Sequence, residues 1–374
     1  MADSLAIISG KGGSGKTTLA ISLAQLLSSC GKRVLLADCD MSTHGATYFF
    51  EGMLSNKNKY HTVVGLLSKP SQENDKLEFL NVSESIWFLP SCVDFPSKNN
   101  FHNGLDDTHW NYFYNVVSKM DFDVVIYDCQ AGYSVVTEIV TKYSNKNLAI
   151  IEADAISASS LRVLYAQLSE NLDRGNTYQI FNKITKEEQD VYSKLTHGTL
   201  FTNLSPILFD WSVRKAFITN ELPDIDASNP ILTNSVYDLA IALFPNYRND
   251  MREFLLNIKK DILAKLEDDA SSVRSDMRKR MIEMYTTIIP ALLSFMGVVI
   301  TTLLFLERGV DSPILLIDNY MFFMLITVLL TMFLASFMSL LLKRSNRNDD
   351  TRKLKRKRQL LEDEIADITR KLQK

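Results

Sequence analysis

Four glycines, Gly10, Gly12, Gly13 and Gly15, run directly into Lys16, Thr17 and Thr18, and this leaves few folds open to the start of the chain. Upstream, Leu5-Ala6-Ile7-Ile8 is a short apolar run of the kind a buried parallel strand makes; downstream, Leu19 to Leu27 repeat at helical spacing. A glycine, four residues and then Gly-Lys-Thr, set between strand and helix, is the phosphate-loop pattern. Glycine lets backbone N–H groups turn inward around phosphate oxygens with no Cβ in the way. The helix start adds orphan N–H groups and the positive end of its dipole. The spacing therefore predicts a nucleotide site. Gly12, Gly13, Ser14, Gly15 and Thr18 line the cradle, Lys16 spans the β- and γ-phosphates, and the Thr17 hydroxyl ligates Mg²⁺.

Further along, Val34 to Asp38 reads as a second buried strand with Asp38-Cys39-Asp40 at its carboxyl end, where open α/β sheets place ligand chemistry. Asp123 to Asp128 is another apolar strand closing on an aspartate, a pattern that pins one carboxylate beside a Mg²⁺-bound water. Strands are also predicted over Leu148–Glu152 and Tyr178–Lys183, with a helix over Leu161–Leu172. Residues 51–107 carry the least pattern, with loops read at Lys57–His61 and Pro96–Asn100. His44 reads as a solvated loop histidine. Cys30, Cys39, Cys92 and Cys129 have no metal-ligand spacing and read as reduced thiols.

With Lys11 ahead of it, the loop Lys-Gly-Gly-Ser-Gly-Lys-Thr-Thr resembles the deviant phosphate loop of the MinD/ParA group of dimerising ATPases. The resemblance runs from about Leu5 to Pro245 through five separated motifs, including Ser85–Ser91 as a strand ending in Pro-Ser and Pro206–Asp210 as the last strand. It implies an α/β fold with a doubly wound, mostly parallel sheet, ATP and Mg²⁺ as cofactors, and a homodimer in which Lys11 reaches the nucleotide of the other copy. It assigns Asp38 and Asp128, with Thr17, to the metal, Asp40 to the attacking water, and Asn182 and Asp210 to the base side. Thr185, where a guanine-binding loop would carry aspartate, favours ATP over GTP. The chain departs from the family in Met41-Ser42-Thr43-His44-Gly45 after the second motif and in Gln130 where proline is usual.

The net charge of −3 is unevenly spread: residues 1–250 are acidic and 343–374 basic. An acidic head is a poor counterion for a phosphate backbone, so no nucleic-acid partner is expected. Met251, Leu255, Ile258, Ile262 and Leu266 predict an amphipathic helix that packs on the head or pairs with a second copy. Beyond it, Met284–Leu306 and Asn319–Leu342 are two charge-free apolar runs, each longer than the roughly 20 residues that cross a bilayer core. Arg274, Arg278, Lys279 and Arg280 precede the first run, and Lys343, Arg344 and Arg347 follow the second. These flanks put both termini on the cytoplasmic side of an inner membrane. The tail offers a basic cluster, Lys353 to Arg358, suited to anionic headgroups, and a short heptad of Leu354, Leu361 and Ile368.

The expected order is an ATPase domain (1–248), a linker helix (249–283), a transmembrane hairpin (284–306 and 319–342 around a short loop) and a helical tail (343–374). The expected function is a membrane-anchored ATP hydrolase whose dimerisation switches a regulatory partner or the arrangement of the spans. Three further readings stay open: a membrane effector of an antiphage or stress system, a bacterial tyrosine-kinase-like ATPase, and a passive nucleotide-binding scaffold that never hydrolyses. The kinase class usually puts its spans first and ends in tyrosines, and this tail has none after Leu342.

Overall fold

The computed structural model describes residues 2–54, 60–68, 78–92, 107–185, 188, 201–226 and 228–307, and part of 353–370. Its residue contacts divide the chain into two units, Met1–Ile258 and Lys259–Lys374.

Among the described residues the first unit is built on eight strands: β1 (Asp3–Ser9), β2 (Val34–Cys39), β3 (Leu80–Ser83), β4 (Ile86–Leu89), β5 (Val124–Ala131), β6 (Lys146–Glu152), β7 (Thr177–Asn182) and β8 (Thr202–Asn203). They lie in the order β3-β4-β2-β5-β1-β6-β7-β8. Every pairing is parallel except the β3–β4 hairpin at the edge. Parallel strands covered on both faces carry continuous apolar runs, and β2 is buried along its whole length. The helices are α1 (Lys16–Ser29), α2 (Gly45–Phe49), α3 (Val63–Ser68), α4 (Asp107–Ser118), α5 (Val135–Tyr143), α6 (Ala155–Gln167), α7 (Trp211–Ile218), α8 (Pro230–Leu243) and α9 (Arg248–Glu307). α1 packs between the sheet and α8. On one face of the sheet the core is aromatic: Trp110 stacks on Phe113 at 4.6 Å and lies 6.0 Å from the Tyr127 ring.

Two expected elements shift. α6 begins at Ala155 rather than Leu161, because the Asp154 carboxylate accepts from the Ser157 N–H and caps the helix six residues earlier than its apolar pattern starts. Pro206–Asp210 is not a ladder strand. Pro206 has no N–H to give, so Ile207 donates to the Phe181 carbonyl instead and the stretch forms only the isolated bridge Ile184 to Leu208; Thr202–Asn203 is the last strand among the described residues.

The expected amphipathic segment forms the start of α9, with Met251, Leu255, Leu256 and Ile258 buried in the first unit. α9 continues as helix through Met284–Leu306, where it presents exposed Tyr285, Ile289, Leu292 and Met296. Among the described residues no helix is long and apolar enough to cross a membrane. The run Asn319–Leu342 lies outside those residues, as do most side chains of Met284–Leu306, the loop 308–318, the basic flank 343–352 and the heptad positions Leu354, Leu361 and Ile368. Residues 57–59 and 96–100, read as loops, also lie outside them.

Trp110 is 1% exposed. Trp110→Ala is expected to lower the unfolding free energy of the first unit by about 3–5 kcal/mol, measured by chemical denaturation followed by circular dichroism.

Candidate nucleotide-binding site

The carboxyl ends of β1, β2, β5, β6 and β7 converge on the loop that joins β1 to α1. Ser134, Asp154, Asp210 and Asn229 cap α5, α6, α7 and α8 with their side chains. α1 has no such cap. Its first N–H groups therefore face the loop without an internal acceptor, as an anion site requires.

Two glycines are needed for steric reasons. Gly15 has φ +95°, and a Cβ there would stand 2.3 Å from Asn182 Nδ2. A Cβ on Gly10 would meet the Leu161 N at 2.4 Å. Lys16 is buried beneath the loop and donates from Nζ to Ser9 Oγ at 3.0 Å, while Ser9 Oγ donates to the Lys11 carbonyl at 2.8 Å. Thr17 Oγ1 donates to Asp128 Oδ2 at 2.6 Å.

The parallel register sets Asp38 opposite Asp128 and Cys39 opposite Cys129. Asp38 is wholly buried; its Oδ2 accepts from the Thr47 N–H at 2.8 Å and the Thr47 hydroxyl at 2.7 Å, and its Oδ1 from the Asp40 N–H at 3.0 Å. Asp128 keeps Oδ1 buried with no protein hydrogen bond. Burial, reinforced by the charge of Asp128, holds Asp38 well above the usual carboxylate range. Burial also raises Asp128, against the opposing pull of Lys16 and the Thr17 hydroxyl. Two adjacent buried carboxylates, one with an orphaned oxygen beside a threonine hydroxyl, suit a hard divalent cation.

Asp40 behaves differently. Burial raises it, but hydrogen bonds from Thr43 and Ser42 outweigh that and hold it below its ordinary value. Its Oδ1 accepts from the Ser42 N–H at 3.0 Å, the Ser42 hydroxyl at 2.9 Å and the Thr43 N–H at 2.8 Å. Oδ2 accepts from the Thr43 hydroxyl. His44 is not simply solvated: at φ 51° it is half-buried, with Nδ1 2.8 Å from the Ser91 hydroxyl, and burial lowers its pKa.

Lys11 turns back onto its own chain. Its Nζ lies 2.8 Å from both Glu152 Oε2 and Asp154 Oδ2 at the end of β6. Hydrogen bonding from Lys11 pulls Asp154 down to about 2. Lys183 joins the cluster, bonding Glu152 Oε1 at 2.6 Å and donating to the Gly13 carbonyl. Asn182 is buried, donates to the Ser14 carbonyl at 2.8 Å and accepts from the Lys183 N–H at 2.9 Å. Beside Gly15 and Thr18 opens a cavity of about 400 Å³ walled by Leu208, Phe209, Asp210, Val213 and Phe217.

The sequence-predicted site residues thus lie on the side of the sheet where its parallel strands end, around the β1–α1 loop, with Lys11 turned toward Glu152 and Asp154. It adds Ser9, Thr47, Ser91, Glu152, Asp154 and Lys183, most of which belong to no recognised pattern. For Glu152 and Asp154 the signal was their place at and just beyond the carboxyl end of an apolar strand.

Residues 5–303 match the family described as the CobQ/CobB/MinD/ParA nucleotide binding domain. Two uncharacterised ATP-binding proteins of Methanocaldococcus jannaschii are similar. One is 32% identical over 34% of this chain and 44% of its own length, so the match spans under half of that relative; the other is 24% identical over 51% and 68%. Among solved structures, the MinC:MinD cell division protein complex of Aquifex aeolicus aligns with TM-score 0.54 and 21% identity over 65% of this chain and 96% of that one. A putative plasmid partition protein of Borrelia burgdorferi bound to AMPPNP aligns with TM-score 0.54 and 19% identity over 66% and 99%. At these identities the structural likeness concerns the fold.

Asp38 and Asp128 bind protons more tightly in the folded chain than when unfolded. Their contribution to stability is therefore full below the ordinary carboxylate pKa and is lost as pH rises through about 6 and about 7. The nucleotide-free protein is expected to melt at lower temperature at pH 8 than at pH 5, with a smaller difference in Asp128→Asn, read from thermal melts across that range.

Proposed function

This chain belongs to the CobQ/CobB/MinD/ParA nucleotide-binding family, and from that starting point we propose that it is an ATP hydrolase that works as a homodimer, anchored in a membrane by its C-terminal hairpin. The observation that carries the nucleotide chemistry is the pairing of Thr17 with Asp128, whose other oxygen is buried without a protein partner. That orphaned oxygen, with the Thr17 hydroxyl and the neighbouring Asp38, fits Mg²⁺. When bound, the ion would offset the charge of the β- and γ-phosphates. The residues from Gly12 to Thr18 would bind the phosphate oxygens through backbone N–H groups, with Lys16 moving from Ser9 to the phosphate side. Thr18, Asn182 and Asp210 border the cavity that would take adenosine, a volume within the usual range for small-ligand pockets. Asn182 would act there chiefly by fixing Ser14 and Gly15, since its amide already donates to the loop.

Asp40 would orient the attacking water. A carboxylate offers about four acceptor positions, and three of the four described donors crowd Oδ1. Oδ2 therefore keeps room for a water. Its lowered pKa keeps Asp40 ionised at neutral pH.

Lys11 would cross to the other copy's nucleotide on dimerisation. To do so it must leave Glu152 and Asp154, so closure exchanges an internal ion pair for a phosphate. An exposed lysine pair of this kind is weak enough to exchange. The membrane reading is supported by the charge-free lengths of 284–306 and 319–342 and by their basic flanks. It is also supported by the apolar side chains that α9 leaves exposed from Met281 to Met296. Both termini would be cytoplasmic. A permanent anchor leaves ATP to control dimer closure and the docking of a regulatory protein instead of membrane attachment.

Lys16→Ala and Asp40→Ala are each expected to lower ATP turnover by ~100-fold or more, measured as phosphate release from the full chain in detergent. Unchanged turnover would refute the site assignment. The full chain is expected to stay with membranes through alkaline carbonate extraction, and a chain ending at Ile258 to be released.

A further inference from the structure

Within the unit Lys259–Lys374, α9 carries Ile262, Leu266, Ala270 and Val273 at steps of one helix face. Leu266 is buried and the other three are half-buried, while neighbouring Lys265, Glu267, Asp268 and Asp269 are exposed. In the tail, Arg358, Glu362 and Ile365 repeat at the same kind of spacing and are half-buried, with Arg356, Lys357, Gln359, Leu360 and Asp363 exposed. One guanidinium links the two stripes: Arg358 Nη2 lies 3.2 Å from Glu267 Oε1, and Arg358 Nε 2.9 Å from Glu362 Oε1. An ion pair this exposed fixes register rather than strength; the apolar stripe of α9 supplies the surface to be covered.

Glu267 lies about 17 residues before the first apolar run and Arg358 about 16 after the second. At ~1.5 Å per helical residue the α9 leg, from Glu267 to Met284, is about 25 Å long. Two connecting stretches of nearly equal residue count, tied at the far end, are what a hairpin needs if both runs are to meet the same bilayer face.

We propose that α9 and the C-terminal tail pair as an antiparallel stalk that rises about 25 Å from the bilayer to the Glu267–Arg358 tie. This rests on the membrane reading above and goes beyond it in assigning the tail a partner. Arg358, held at Glu267, then stands about 25 Å from the start of the first run measured along α9, beyond a Debye length of about 8 Å at physiological salt. Its counter-charge is the acidic turn Glu267-Asp268-Asp269 of the same chain, and not lipid headgroups.

The test uses the full chain with Cys30→Ser, Glu267→Cys and Arg358→Cys, reconstituted in nanodiscs of phosphatidylcholine with or without phosphatidylglycerol, and a protease site inserted within 308–318. After treatment with a short bismaleimide and cleavage, the two fragments are expected to remain one covalent species of monomer mass, equally with and without the anionic lipid. A second pair, Leu266→Cys with Glu362→Cys, is expected to behave alike. Fragments that separate for both pairs, or links that join two copies, would overturn the stalk. So would linking that vanishes when phosphatidylglycerol is present. Carbonate extraction of the same variants reads the anchor separately: protein that washes off membranes yet stays linked refutes the anchor and keeps the pairing.

Discussion

Asp38 and Asp128 stand side by side on neighbouring parallel strands, both shut off from water, and the arrangement is tolerable only because donors or a cation are supplied to it. Asp38 receives three hydrogen bonds from Thr47 and Asp40. Asp128 receives one, from Thr17, and leaves an oxygen over. The imbalance orients the site, because the carboxylate with the spare oxygen is the one beside the phosphate loop. The α2 turn, the Ser91 hydroxyl against Thr47 and the placement of His44 all follow from satisfying the other one.

Much of this was legible in the sequence because it depends on local chemistry. The loop from Gly10 to Thr18, and the apolar strands that end in Asp38 and Asp128, announce themselves by glycine count, period and terminal carboxylate. The base-side residues Asn182 and Asp210 came with family likeness, and the structure shows why Asn182 matters even before any base arrives: its amide holds Ser14. What could not be read were partnerships between distant residues. No pattern at Lys11 reveals that Glu152 and Asp154 will receive it, since that depends on β6 lying next to β1. His44 looked solvated because Ser91 lies far along the chain. The misplaced start of α6 has a local cause, an aspartate cap that competes with apolar periodicity. The strand expected at Pro206–Asp210 failed because proline breaks a ladder that the flanking residues would otherwise extend.

The second unit poses a different physical problem. A helix as long as α9, 60 residues, has to find partners for surfaces that change character along it. It is buried in the head near Met251, striped near Leu266 and apolar beyond Met284. The head covers the first of these stretches, and the tail touches the second through the Glu267–Arg358 ion pair. The charge balance follows the same division, with acid in the head and base beside the apolar runs.

The close approach of Gly15 to Asn182 joins two motifs 168 positions apart between Ser14 and Asn182 into a single mechanical part. With only a hydrogen atom between the loop and the amide, neither can be displaced without the other registering it. Gly15 and the end of β7 therefore have to be placed together: a side chain added at Gly15 would displace Asn182 and the hydrogen bond by which it holds Ser14. A substitution at Asn182 would therefore alter the loop at Ser14 as well as the wall of the neighbouring cavity.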